Sequence, residues 1–245
     1  MAIYVVVGAT KAGIGQAIST RLHDDGHTVF GTYELDGKDS ALDFASKLPN
    51  LKLVGVDHGE VESLRSFLDS LPANIDGLAI AQMHFDLRRH DDFSEAEWSK
   101  SLAVNLTMPH FLTINAANKL SPGSCVVTVT STEGLVGSFG AAGYAATKAA
   151  IHNLIKTHAN TLGPKGIRSN AVAAGWIGGV MDTDEVFNMS RKITPLGRLG
   201  DASEIAAIVK FLLSSEASFV TGATIVADGG YSCVDTISKY EYATL

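Results

Sequence analysis

Short apolar runs rich in β-branched residues recur along the chain, each followed by a longer stretch whose apolar positions fall three and four apart. Runs that are apolar throughout, rather than at alternate positions, suit strands covered on both faces. Seven such runs predict strands at 3–9, 27–33, 51–57, 77–82, 124–131, 167–174 and 223–228. Helical spacing predicts helices at 14–25, 61–71, 95–120, 143–162 and 202–214. This alternation implies an α/β protein, a doubly wound parallel sheet with helices on both faces. No Pro/Ser-rich linker, repeat or composition shift marks a boundary, so a single domain over 1–245 is expected. One long irregular piece, residues 175–200, separates a strand from the next helix, and its part at about 178–197 is the expected substrate loop.

Composition narrows the function. A formal charge of −7, with no basic cluster larger than LRRH, argues against nucleic acid and anionic membranes as partners and favours a small molecule. Cys125 and Cys233 form no disulfide framework and no metal-ligand pattern, which fits a reducing, cytoplasmic setting without a bound metal. The opening MAIYVVVGATKAG has no basic leader and its apolar run is cut by Gly8, so neither a signal peptide nor a membrane span is expected there.

The first strand runs into GATKAGIG, with glycines at 8, 13 and 15, and then into a helix. Strand, glycine loop and helix in that order suit a Rossmann-type dinucleotide site: the backbone turns tightly and the pyrophosphate meets the helix N-terminus. Thr10, Lys11 and Ile14 belong to the same loop. At the end of the second strand Glu34 is placed to accept from the adenosine ribose hydroxyls, which leans towards NAD over NADP, or to stand as a solvated loop acid. Lys11 pulls the other way, since an ammonium pairs with a 2′-phosphate. Asp57 closes the third strand, placed either to accept from the adenine amino group or to cap the following helix.

In GYAATKAAIHNLIKTHANTLG, Tyr144 and Lys148 stand one helical turn apart, so an ammonium beside the phenol is expected to lower its pKa and fit it for proton transfer. Ser131 in VTVTSTEG lies thirteen residues before Tyr144, Asn105 lies in LAVNLTMPHF, and IRSNAVAAGWI, RLGDASEIAAIVKFLLS and FVTGATIVADGG follow. Over essentially its whole length the sequence resembles the short-chain dehydrogenase/reductase family. The resemblance implies an NAD(P)-dependent oxidoreductase that interconverts a secondary alcohol and a ketone. It makes Tyr144 the acid/base, Lys148 the residue that lowers the tyrosine pKa and holds the nicotinamide ribose, Ser131 the donor to the reacting oxygen, and Asn105 the holder of a water. It also implies roles for Ala81, Gly175 and Ile177 along the cofactor, and a homotetramer or homodimer.

The chain departs from the family pattern at four places. Gly8 and Gly13 enclose four residues where the family has three; Ile80-Ala81-Gln82-Met83 replaces Asn-Asn-Ala-Gly; Ala174 replaces a proline; and Gly179 stands for a threonine, leaving backbone groups of Ile177 to hold the nicotinamide ring. The expected pocket is apolar, for an apolar or cyclic carbonyl compound, and drawn from Met83, Phe85, Leu135, Val136, Phe139, Trp176, Val180, Met181 and Phe187. His84, Arg88 and Arg89 stand beside it as an anion contact or a solvated loop. Ile151, Leu154 and Ile155 suit core and subunit interface alike, and the C-terminal tail is expected to fray. Two alternatives are a non-catalytic NAD(P)-binding regulatory protein and an enoyl reductase, whose tyrosine and lysine typically enclose six residues where three stand here.

Overall fold

The computed structural model describes residues 1–11, 13–87, 92–179 and 183–244. Seven strands form one sheet: β1 (Ile3–Val7), β2 (Thr28–Tyr33), β3 (Leu51–Gly55), β4 (Ile75–Ile80), β5 (Leu120–Ser131), β6 (Arg168–Ala174) and β7 (Thr224–Ala227). Their order is β3-β2-β1-β4-β5-β6-β7 and every neighbouring pair is parallel. Strand alternation divides the core between two faces: Val5 and Val7 point to one side and Val6 to the other. Against one face pack α1 (Ile14–Asp24), α2 (Lys38–Ser46) and α8 (Ala202–Leu213), through Ile18, Leu22, Phe44, Val209 and Leu212. Against the other pack α3 (Val61–Ser70), α5 (Met108–Asn115) and α6 (Ala142–Leu162), through Phe67, Met108, Leu112 and Leu162. Chain order reverses between β1 and β4, and the crevice beyond the carboxyl ends of strands at such a reversal is where doubly wound sheets bind ligands.

Four local expectations change. The helix over 95–120 is α4 (Glu95–Leu102), a π-helical turn at Ala103–Thr107, and α5. Residues 175–200 contain α7 (Asp184–Ile193), started by Thr183, whose hydroxyl accepts from the Val186 amide at 3.3 Å. The tail carries α9 (Thr236–Ala243), capped by the Asp235 carboxylate on the amides of Ile237 and Ser238. On α6, Ile151 and Ile155 are fully buried and Leu154 packs beside them, so these residues serve the core. Among the described residues no helix is long and apolar enough to cross a membrane.

Two histidines are buried in neutral form. His158 on α6 stacks on His110 of α5, with Nε2 2.9 Å from His110 Nδ1. Burial, with the neighbouring His110 as a lesser cause, lowers the His158 pKa from 6.5 to about 4. His58, at the C-terminal edge of the sheet, also falls to about 4 by burial, opposed by Asp57 and assisted by Lys11. An unfolded chain binds protons at these sites below about pH 6.5 while the folded chain does not, so their contribution is complete above that pH and is lost on acidification towards 4. The urea midpoint is expected to fall between pH 7 and 4.5, and His158→Gln to fall less steeply. Parallel slopes for the two proteins would refute the assignment.

Candidate active site

The crevice begins where β1 ends. Gly8 turns the chain with φ +80°, and its amide donates to Thr32 Oγ1 at 2.8 Å. Gly15 opens α1 directly against it: a Cβ on Gly15 would stand 1.9 Å from the Gly8 carbonyl oxygen. This close approach of helix to strand is what the last glycine of a dinucleotide loop provides. The additional residue of the loop therefore leaves Gly8 and Gly15 packed together; Ala12 of that loop lies outside the described residues. Among the described residues no side chain caps α1, and its first turn holds no acid, which leaves its amide end suited to an anion. Thr10 accepts from Gln16 Nε2 at 3.0 Å through its carbonyl, and Ile14 packs into the core beneath. These residues fit a dinucleotide pyrophosphate.

Glu34 leaves the end of β2 exposed to solvent, and its Oε1 accepts from Gln82 Nε2 at 2.6 Å. Lys11 reaches across the crevice to donate to the Met83 carbonyl at 3.1 Å. Ala81 and Gln82 both donate their amides to the Val7 carbonyl, which fixes the exit of β4 against β1. Asp57 is not the cap of α3, since Glu60 holds that position; its Oδ1 accepts from the Gly59 amide at 2.9 Å in a tight turn. Sequence reasoning missed His58, buried beneath the loop with Nε2 2.8 Å from Thr32 Oγ1. Nothing in its sequence setting marks it.

At the far end, Ser131 closes β5 and Tyr144 lies in the first turn of α6, and the phenol hydrogen-bonds Ser131. Lys148, one turn on, is 3% exposed; its Nζ donates to the Val129 carbonyl at 3.2 Å and lies 5.3 Å from the Tyr144 ring centroid. Thr130 Oγ1, 2.8 Å from His152 Nε2, ties α6 to β5 behind them. Ser131, Tyr144 and Lys148 thus converge. Asn105 does not join them through its side chain: it sits buried in the π-helical turn, donating to the His84 carbonyl and accepting from the His84 amide, both at 2.8 Å. It braces the segment after β4.

The expected lowering of the tyrosine pKa is not found. Burial pushes Tyr144 up to about 12, with the Ser131 bond opposing and Glu133 adding to the rise, and burial brings Lys148 down to about 8. Nζ lies over the ring rather than at the hydroxyl, so withdrawal from water outweighs the cation.

Beside Tyr144 opens a cavity of about 200 Å³ walled by Phe93, Trp98, Ser138 and the carboxylate-bearing Asp86, Asp92 and Glu97. Among the described residues, none of the expected apolar ones lines it. Phe85 instead packs edge-on against Tyr144, with ring centroids 5.1 Å apart, Trp176 lines a separate cavity near β7, and Phe139 is fully exposed. Met83, Leu135, Val136 and Phe187 also lie off this cavity wall, and Arg88, Arg89, Val180 and Met181 lie outside the described residues. His84 pairs with Glu97 at 2.7 Å, in place of an anion contact. At the end of β6 the Gly175 amide donates to the Ala227 carbonyl at 3.0 Å, and the bridge between Ile177 and Gly200 uses the Trp176 carbonyl and the Gly178 amide. The backbone groups of Ile177 itself stand outside that pair of bonds. Among the described residues no group of three or more His, Cys, Asp or Glu is placed to hold a metal.

A family model described as enoyl-(acyl carrier protein) reductase matches residues 8–232. The (3R)-3-hydroxyacyl-CoA dehydrogenase of Homo sapiens is 31% identical over 256 aligned residues, covering 94% of this chain and 95% of its own. The 3-oxoacyl-[acyl-carrier-protein] reductase FabG of Aquifex aeolicus is 32% identical over 240, covering 93% and 96%. The chain belongs to the short-chain dehydrogenase/reductase family. Among solved members, BdcA in complex with NADPH matches with a TM-score of 0.86 at 27% identity over 93% of each chain. As a member of this family the protein is an NAD(P)-dependent oxidoreductase.

The packing of Gly15 on Gly8 gives a direct test of the cradle. Gly15→Ala is expected to destabilise the fold by about 1–3 kcal/mol and to abolish dinucleotide binding. Gly163→Ala, where an added Cβ meets nothing within 4 Å, should leave binding unchanged. Thermal melts and fluorescence titration with NADH and NADPH measure both; wild-type affinity in Gly15→Ala would contradict the assignment.

Proposed function

We propose that the protein reduces a small ketone to a secondary alcohol, or runs the reverse reaction, with Tyr144 as proton donor and acceptor. The observation that carries this reading is the convergence of the Tyr144 and Ser131 hydroxyls with a buried Lys148 at the mouth of the dinucleotide crevice. The bound nicotinamide cofactor supplies or accepts the hydride. Tyr144 gives its proton to the carbonyl oxygen, and Ser131 holds that oxygen as charge develops on it. Lys148 offers its ammonium to the nicotinamide ribose and to the phenolate. Asn105 acts through the His84 segment, and any water it holds falls to its backbone, because its side chain is committed to His84.

Glu34 at the end of β2 supports NAD as the cofactor, with Lys11 drawn to Met83 and away from the ribose edge. Gly8, Thr10, Gly13, Ile14 and Gly15 take the pyrophosphate, Asp57 the adenine, and Ala81, Gly175 and Ile177 the nicotinamide half. Phe93 and Trp98 suit an apolar or cyclic body on the substrate, whose polar groups meet the carboxylates opposite. The spacing of three between Tyr144 and Lys148 favours carbonyl over enoyl reduction, and four intact site residues favour turnover over a purely regulatory role. The same reading takes 1–245 as one domain with its substrate loop near 178–197, in a cytoplasmic homo-oligomer; the free thiols of Cys125 and Cys233 are in keeping with that compartment.

Tyr144→Phe removes the exchangeable proton and little else. Ketone-dependent oxidation of the reduced cofactor is expected to fall by about 10²–10⁴-fold, with cofactor affinity within about twofold of wild type. Residual turnover above a tenth of wild type would sink the acid/base assignment.

A further inference from the structure

Gln82 occupies the position where the family carries an alanine, and its longer side chain does something the replacement alone does not suggest. In the sheet, β1 lies between β2 and β4, so a side chain leaving the end of β4 must pass over the end of β1 to meet one leaving β2. Gln82 makes that crossing to Glu34. Gly8 makes room for it: a Cβ there would stand 2.8 Å from the Gln82 backbone nitrogen and Cα and 2.9 Å from Oε1. The amide orientation is fixed by chemistry, because Nε2 faces two groups that only accept, the Glu34 carboxylate at 2.6 Å and the Met83 carbonyl at 3.3 Å. Gln82 is 3% exposed, whereas Glu34 is exposed. A rigid, buried donor therefore holds a mobile surface carboxylate in one place by a charge-assisted bond.

We infer that Gln82 is a positioning residue for cofactor choice, locking the Glu34 carboxylate at the adenosine ribose so that a 2′-hydroxyl is accepted and a 2′-phosphate rejected. The inference rests on the reading of Glu34 as the ribose acceptor. Without the lock, an exposed glutamate swings into water, ceasing both to receive the hydroxyl and to repel the phosphate. Lys11, which would welcome the phosphate, bonds the same Met83 carbonyl at 3.1 Å. Residues 82 and 83 thus hold both opposing determinants, the acid at the ribose edge and the cation beside β4.

The test measures dissociation constants for NADH and NADPH by nucleotide fluorescence, with thermal melts, for wild type, Gln82→Leu, Glu34→Gln and the double variant. Wild type is expected to prefer NADH. Gln82→Leu should weaken NADH about tenfold, the scale of one charge-assisted bond, leave NADPH within about twofold or tighter, and have no further effect on the ratio once Glu34 is replaced. A wild-type preference for NADH that survives Gln82→Leu, or an equal loss of both nucleotides, overturns this inference and leaves Glu34 as the reader. A wild-type preference for NADPH overturns the Glu34 reading and this inference with it. Should Gln82→Leu not fold, Gln82→Asn, too short to make the crossing, reads the same quantities.

Discussion

The site depends on one constraint, the withdrawal of the Lys148 ammonium from water. Its protein partners are the Val129 carbonyl and the face of the Tyr144 ring, and both are supplied by the seam between β5 and α6. Burial acts on the two groups in opposite senses, lowering the lysine to about 8 and raising the tyrosine to about 12. Both are thereby biased towards their neutral forms, so the free protein holds a phenol that keeps its proton. That is the state a proton donor to a carbonyl requires. The reverse direction needs the phenolate, which the Lys148 ammonium would favour and which the positive charge of a bound oxidised nicotinamide would favour further.

The rest of the crevice is arranged around the same seam. Ser131 ends β5 two residues after Val129, so the Ser131 hydroxyl and the lysine's carbonyl partner come from one strand. Asn105 fixes the backbone after β4, from which Phe85 packs edge-on against the Tyr144 ring. At the other end, the Gly8–Gly15 approach sets the floor of the crevice and the Gln82–Glu34 crossing spans the end of β1, where the proposed reading puts the ribose. The enlarged glycine loop is compatible with this because the two glycines that touch retain their contact.

Strands were legible because a parallel sheet covered on both faces demands unbroken apolar runs, as in Tyr4–Val7 and Cys125–Val127. Three helices were not: α2 buries only Ala41 fully, α7 only Ser190, and the described side chains of α9 are all exposed, so none announces itself as a core helix. In the site, Ser131, Tyr144 and Lys148 were legible because their spacing follows from a strand end and one helical turn. The height of the Tyr144 pKa was not, because adjacency on a helix says nothing about how deeply the pair is buried. Likewise Gln82 read only as part of a departure from the family pattern, since its bond to Glu34 joins residues 48 apart through strand order alone. The carboxylates by Tyr144 escaped notice because the cavity is walled by α4 and the segment before it, which the sequence presented as one continuous helix with a solvated approach.

The central claim is that burial holds the Tyr144 proton until the cofactor's charge releases it. Ultraviolet difference titration of phenol ionisation, wild type minus Tyr144→Phe, isolates this residue with and without saturating oxidised dinucleotide. Ionisation is predicted at about pH 12 in the free protein and roughly two pH units lower with the nucleotide bound. Ionisation at or below the ordinary value of 10.0 in the free protein, or no movement on binding, would contradict the account.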